Sequence, residues 1–286
     1  MTWQLLLTIS ILSGSAAVVL QRYTQKNSQL NPLGFIFWPC AIASVLLIGL
    51  ALIRGFDTNW ALLPKFNLFL SLILWPISNY FYVYAMKHSE ASQYSILYTT
   101  RVFWTILVAI VFLHERFPEA VAVGAIFLFV SCVLALWEEG LSLRNYGTIY
   151  PLSNAFLAGT AIANDGIALS HGYDVISYFT LSFMGTPVLF GLLSSAARSS
   201  AISIARNSRQ FLGTAMLAAL YVTSAVTLYY AFGKGQELSI LISLSQIGTI
   251  LVVISAAILL KERRYLTRRL AAAVVSFIGV LFIINA

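Results

Sequence analysis

Apolar residues run through this chain in blocks of helix length, separated by short polar links. Ten blocks stand out, at about 3–21, 33–53, 66–87, 92–113, 119–137, 147–169, 174–197, 210–233, 238–260 and 267–285. A helix crossing hydrocarbon needs about 20 mostly apolar residues, whereas a barrel strand needs about 10 with strict alternation. The pattern therefore predicts an all-α, polytopic membrane protein with ten transmembrane helices. Short links make consecutive helices antiparallel neighbours and leave no room for a soluble domain. Asn31-Pro32, Pro64 and Pro118 fall in or beside links, where helix breakers belong.

The blocks also repeat. Leu-His-Glu-Arg at 113–116 and Leu-Lys-Glu-Arg at 260–263 each close one block and precede another, at an offset of 147. Cys132-Val133-Leu134 and Gly279-Val280-Leu281 keep that offset, while Tyr84-Ala85 and Tyr230-Ala231 stand 146 apart, so one gap is needed. The unit is five helices, residues 1–140 and then 141–286. An odd number of spans forces the two copies into opposite orientations. Such inverted repeats are how many secondary transporters build two alternative accesses to one central site.

Composition agrees with a membrane chain: of 286 residues 59% are apolar and 9% charged, with mean hydropathy +0.86. A soluble domain carries about 25% charged residues. The net charge of +7 reads as topology rather than as nucleic-acid affinity, because cytoplasmic loops collect Lys and Arg. Links after blocks 1, 3, 5, 7 and 9 hold twelve basic residues: Arg22, Lys26, Lys87, Arg144, Arg198, Arg206, Arg209, Lys261, Arg263, Arg264, Arg268 and Arg269. The other links hold four, Arg54, Lys65, Arg116 and Lys234. That bias places the first set in the cytoplasm and both termini outside. The start Met1-Thr2-Trp3-Gln4 lacks the basic region of a cleavable signal peptide, so the first block is expected to stay as a helix. A compact chain without a targeting peptide suits a bacterial inner membrane. Cys40 and Cys132 have no metal-ligand or redox spacing and read as buried thiols.

The sequence resembles the drug/metabolite transporter superfamily, in its EamA-type branch. The resemblance rests on ten blocks in two halves, on Glu115-Arg116 and Glu262-Arg263 closing blocks 4 and 9, and on Ser13-Gly14 in the first block with Arg22 eight residues beyond the glycine. The proline common early in the fourth helix of each half is absent; Arg101-Val102 and Gly248-Thr249 stand near its place. The tryptophan that often precedes the glycine is Ser13 here. The resemblance implies export or exchange of small organic metabolites.

Arg101 is the candidate for chemistry, ten residues into the fourth block. A basic residue at such depth costs about 2.5–3.5 kcal/mol on insertion scales, so it should face the interior. Tyr94, Tyr98, Arg101 and Thr105 recur at helical spacing as one polar stripe. The guanidinium would either tie the structure together or take a carboxylate or phosphate in its planar fork. Asp165, on the face of Tyr150, Asn154, Ala158 and Ala161, is the one acidic residue well inside a span. It would pair with Arg101, bind a substrate amine or take up a proton, unless it sits at a solvated rim. The ninth block offers no charge but a neutral stripe of Ser239, Ser243, Gln246 and Thr249. Aromatics of block 3 (Trp75, Tyr80, Tyr82, Tyr84, with Asn79 and a kink expected at Pro76) and of block 8 (Tyr221, Tyr229, Tyr230) suggest an aromatic-walled cavity. Candidate substrate-binding residues are thus Arg101, Tyr98, Tyr94, Asn79, Tyr82, Asp165, Asn154, Gln246, Ser243 and Tyr221. Ser10, Ser13, Gly14, Ala17 and Ala155, Gly159, Ala163 follow the small-residue pattern of close helix packing.

The leading reading is a secondary transporter, exporter or exchanger, of small organic metabolites by alternating access. Amino acids fit, since Arg101 and Asp165 would suit a zwitterion. The alternatives are a non-transporting membrane sensor or assembly protein, or a carrier of drugs or nucleoside-like solutes. An enzyme is not expected: the spans hold one carboxylate, no histidine, no catalytic pair and no metal spacing. No Walker loop is present for nucleotide coupling. No cofactor is expected; the expected partners are a small-molecule substrate and the bilayer, with no nucleic acid, and monomer or homodimer is open.

Overall fold

The computed structural model describes residues 1–26, 28–56, 65–113, 119–136, 145–263 and 265–284. The link His114-Glu115-Arg116, Pro64, Pro118, Arg144, Arg264, Ala286 and the boundary at 140/141 lie outside the described residues, as does the side chain of Ser239. Thirteen helices are described: α1 (Trp3–Gln25), α2 (Gly34–Arg54), α3 (Lys65–His88), α4 (Ala91–Tyr98), α5 (Arg101–Leu113), α6 (Glu119–Leu136), α7 (Tyr146–Ser170), α8 (Val175–Leu193), α9 (Ser195–Arg206), α10 (Ser208–Phe232), α11 (Leu238–Leu244), α12 (Ile247–Leu259) and α13 (Leu266–Ile284). There is no strand among the described residues. Six helical stretches there are long and apolar enough to cross a membrane by themselves. Side chains such as Leu52, Ile53, Phe129, Leu193 and Ile258 turn outward, as lipid-facing positions require. The chain is an all-helical polytopic membrane protein.

Two differences from the ten-block pattern matter. The blocks at 92–113 and 238–260 are each broken in the middle, into α4 and α5 and into α11 and α12. Thr99-Thr100 and Ser245-Gln246 fill the breaks, at the repeat offset of 146. Backbone bonds shorten to three-residue steps through both: Val102 N to Thr99 O and Phe103 N to Thr100 O in one, Gly248 N to Ser245 O and Thr249 N to Gln246 O in the other. Hydroxyls take up carbonyls as well, Thr99 to Ile96, Thr100 to Leu97 and Ser245 to Ile242. No proline or glycine occupies either break, so apolar periodicity runs straight across them. By contrast α3 stays one helix through Pro76.

The second difference is α9, inside what reads as a basic link. Ala197, Ala201 and Ile204 recur at helical spacing and are buried. They seat α9 on α2, where Trp38 Nε1 donates to Ala201 O at 2.8 Å and Ser200 Oγ donates to Asn31 O at 2.8 Å.

Packing is reciprocal between the halves. α3 lies on α7 and α10 on α1; α5 packs on α7 and α12 on α1; α3 meets α8 and α10 meets α2. The pieces of the broken spans cross, α4 against α12 and α11 against α5, while α6 pairs with α13 and α2 with α8. On the face where α1, α3 and α12 end, Glu262 is the knot. It accepts from Arg22 Nε at 3.0 Å and from the Ala91 backbone N–H at 2.8 Å, while Arg22 also donates to Met86 O. Lys26 Nζ reaches Leu260 O at 2.8 Å, and Arg269 pairs with Glu90 and donates to Ser92. Residues of links after spans 1, 3 and 9 therefore meet on one face. On the other, Arg54 donates to Tyr230 and Asn67 to Asn164.

Candidate functional site

The breaks in the fourth and ninth spans meet beside a central cavity of about 230 Å³. Its wall comes from α1, α2, α3, α4, α5, α7, α8 and α10. Arg101, the first residue of α5, reaches across the bundle and donates from a terminal nitrogen to Ser245 Oγ at 3.0 Å. Its guanidinium lies over the Tyr98 ring, 4.4 Å from the centroid, a cation–π contact. The buried Nε has no hydrogen-bond partner. One cation in an apolar bundle is thus held by a neutral hydroxyl and a ring face, with donor capacity left over.

Of the sequence-predicted residues, Arg101, Tyr98, Tyr94, Asn79, Tyr82, Asn154 and Tyr221 all line the cavity. Their polar groups are fixed in pairs. Tyr94 donates to Asn154 Oδ1 at 2.8 Å, and Asn154 donates to the carbonyl and hydroxyl of Ser78 at 2.8 and 2.9 Å. Tyr221 donates to Gln21 Oε1 at 3.0 Å and lies 3.3 Å from the Tyr82 hydroxyl. Asn79 donates to Thr186 at 2.9 Å. Tyr94 and Tyr98 stack with ring centroids 5.2 Å apart, which turns two aromatic faces and one guanidinium along a single wall.

Three predicted residues stand elsewhere. Ser243 and Gln246 are buried off the cavity wall, Gln246 donating to Ile242 O at 3.1 Å; the break in the ninth span rotates its polar stripe, so that Ser245 faces the site instead. Thr105, the end of the stripe on the fourth block, likewise turns to α7 and donates to Gly159 O at 3.1 Å. Asp165 is fully buried just behind the wall and forms no ion pair among the described residues. It is neither on a rim nor bonded to Arg101. Its carboxylate accepts from Tyr178 at 2.5 Å, Ser71 at 2.9 Å, Trp75 Nε1 at 2.9 Å and Tyr229 at 3.4 Å. Sequence reasoning missed Ser71, Tyr178, Ser182 and Ser245 as members of this region. Only Ser245 had a signal, its position 146 residues after Thr99.

α5 can approach α7 because Gly159 has no side chain. A Cβ there would stand 2.6 Å from Arg101 O and 2.8 Å from Trp104 Cβ. On the first span, Ser10 Oγ donates to Ser224 O at 2.8 Å and Ser224 Oγ donates back to Ser10 O at 3.0 Å. Small residues therefore set both contacts, as their spacing suggested. Among the described residues no group of three His, Cys, Asp or Glu is placed to hold a metal.

No curated protein matches the chain. A solved crystal structure of a protein is similar at 15% identity with a TM-score of 0.68, covering 97% of this chain and 95% of that one. At that identity the likeness shows the fold, and it extends over both halves. Residues 1–137 match the EamA-like transporter family. By that match the chain belongs to the drug/metabolite transporter superfamily, whose EamA-type members are membrane transporters of small solutes and not enzymes.

Proposed function

We propose that this protein is a secondary transporter, exporter or exchanger, for small organic solutes that carry a carboxylate, amino acids foremost. Arg101 carries the reading. A guanidinium with an unused, buried Nε in the wall of a central cavity offers a charge-assisted bond to an anionic group. Tyr94, Tyr98, Tyr82 and Tyr221 take the rest of the solute against ring faces, and Asn79 and Asn154 supply amides. Asp165 stands behind the wall and is left out of the binding set.

The transport cycle is alternating access between two inverted five-helix halves, 1–140 and 141–286. The reciprocal packing of α3 with α7 and α10 with α1, and the twin breaks at one offset, support this plan. The basic links lie in the cytoplasm and both termini outside, in a bacterial inner membrane.

The test is uptake of labelled amino acids by proteoliposomes containing wild type, Arg101→Ala or Arg101→Lys. A hydrogen bond to a charged group is worth about 1.5–3 kcal/mol, so Arg101→Ala should weaken apparent affinity about ten- to a hundredfold. Arg101→Lys, which keeps the charge and loses the fork, should fall between. Unchanged uptake by well-folded Arg101→Ala would remove Arg101 from the substrate site.

A further inference from the structure

We infer that Asp165 is a proton-binding site wired to the transport cavity through the hydroxyls of Ser71 and Ser182. The inference rests on the transporter reading above and names how that site is coupled. Asp165 is wholly buried in α7, and the partners it has are neutral. The groups that face it are Ser71 and Trp75 from α3, Tyr178 from α8 and Tyr229 from α10. Of these only the two tyrosines titrate, and Tyr173 packs against Tyr178. The charged group of α5, Arg101, is turned to Ser245 and Tyr98, so no described cation balances the carboxylate.

The shell is built to serve both protonation states. With the carboxylate ionised, three hydroxyls and one indole N–H donate to it. With the carboxyl protonated, a hydroxyl must accept, and Ser71, Tyr178 or Tyr229 does so by rotating about its C–O bond. Tyr229 already has a second acceptor in Ile162 O at 3.2 Å. An arginine partner could not reverse in this way, since it has no acceptor.

A route to the cavity is also present. Ser71 Oγ lies 2.9 Å from Asp165 Oδ1 and 3.0 Å from Ser182 Oγ, and Ser182 lines the cavity. A proton delivered by cavity water to Ser182 displaces the Ser182 proton onto Ser71. Ser71 in turn passes its own proton to Asp165 Oδ1, which leaves both serines neutral and the carboxyl protonated. The result is felt at the wall, because Trp75 and Tyr229 bond Asp165 and also line the cavity. Loss of the negative charge releases their hold on the carboxylate and changes the shape that the solute meets.

Two measurements test this on the full chain. The first is acid-minus-neutral infrared difference spectroscopy of purified protein, with no solute present. Wild type should show a protonated-carboxyl band that Asp165→Asn lacks, and Ser71→Ala, which keeps the carboxylate but removes one donor, should shift it. A band shared by wild type and Asp165→Asn, or one unmoved in Ser71→Ala, overturns the assignment; the Ser71 comparison decides alone if the Asp165→Asn variant misfolds. The second is accumulation of labelled amino acids in proteoliposomes under a one-unit pH gradient of either polarity, with the membrane potential clamped. One pH unit corresponds to about 1.4 kcal/mol, so one proton per solute supports about tenfold accumulation. Asp165→Asn should lose that accumulation while gradient-free exchange continues, and equal accumulation in the two overturns the coupling. Failure of wild type to exchange any amino acid would count against the solute reading, and the infrared result would still decide the proton site.

Discussion

Glu262 offers the most quantitative test of how the two halves are joined. Its side chain is 2% exposed and that of Arg22 12% exposed, with 3.0 Å between Nε and Oε1. At an effective dielectric of about 20, two unit charges at that distance attract by about 5.5 kcal/mol, offset by a desolvation cost of several kcal/mol per ion. The pair is therefore close to balanced when whole and costly when halved: about 3–5 kcal/mol for removing one partner. Glu262 has a second task that Arg22 lacks, since its other oxygen accepts from the Ala91 N–H at the start of α4, where no side chain of its own segment caps the helix. A capping contact contributes about 1 kcal/mol. Glu262→Ala should then destabilise by about 1 kcal/mol more than Arg22→Ala, and Glu262→Gln, which keeps an acceptor for Ala91, should recover that difference. Reversible unfolding in mixed micelles, with the double variant completing the cycle, gives each value. Glu262→Ala and Arg22→Ala of equal cost, within about 0.5 kcal/mol, would refute the capping role.

Gly159→Ala should destabilise by about 1–3 kcal/mol through overpacking against α5 and slow transport, read from melting temperature and proteoliposome uptake. Asn154→Ala leaves the Tyr94 hydroxyl and Ser78 carbonyl without their partners and should cost about 1–3 kcal/mol per stranded buried group, measured by the same unfolding assay. Trp38→Phe keeps the ring but deletes the bond to Ala201 O. It should cost about 1 kcal/mol and raise proteolysis within α9, visible as earlier cleavage at Arg198 or Arg206.

Much of this architecture could be read from apolar block length alone, because a backbone in hydrocarbon has few ways to satisfy its hydrogen bonds. Arg101 was legible for the same reason: a cation at that depth needs an interior. Its partner was not, because Ser245 lies 144 residues away in sequence and faces the site only once the ninth span is broken. Breaks themselves were hidden, since hydroxyl side chains returning to carbonyls three residues back do the work that a proline signals openly. Asp165 shared a helical face with Asn154, which marked it as interior. Whether it met the cavity depended on Ser71 and Trp75 of α3 and Tyr178 of α8 closing over it, a long-range packing that periodicity does not encode. α9 was overlooked because its apolar face is only three small or medium residues within a basic link.

The crossing of the broken spans has a mechanical consequence. α4 is clasped by α12 and α5 by α11, so four half-length rods form two crossed levers, and Arg101 with Ser245 marks the fulcrum. Points at a fulcrum travel least when the arms swing. A solute anchored there would keep its grip while the arms trade places, and its affinity would differ little between the two sides of the membrane. Such a carrier is suited to swapping one solute for another, with directional bias supplied from outside the pivot.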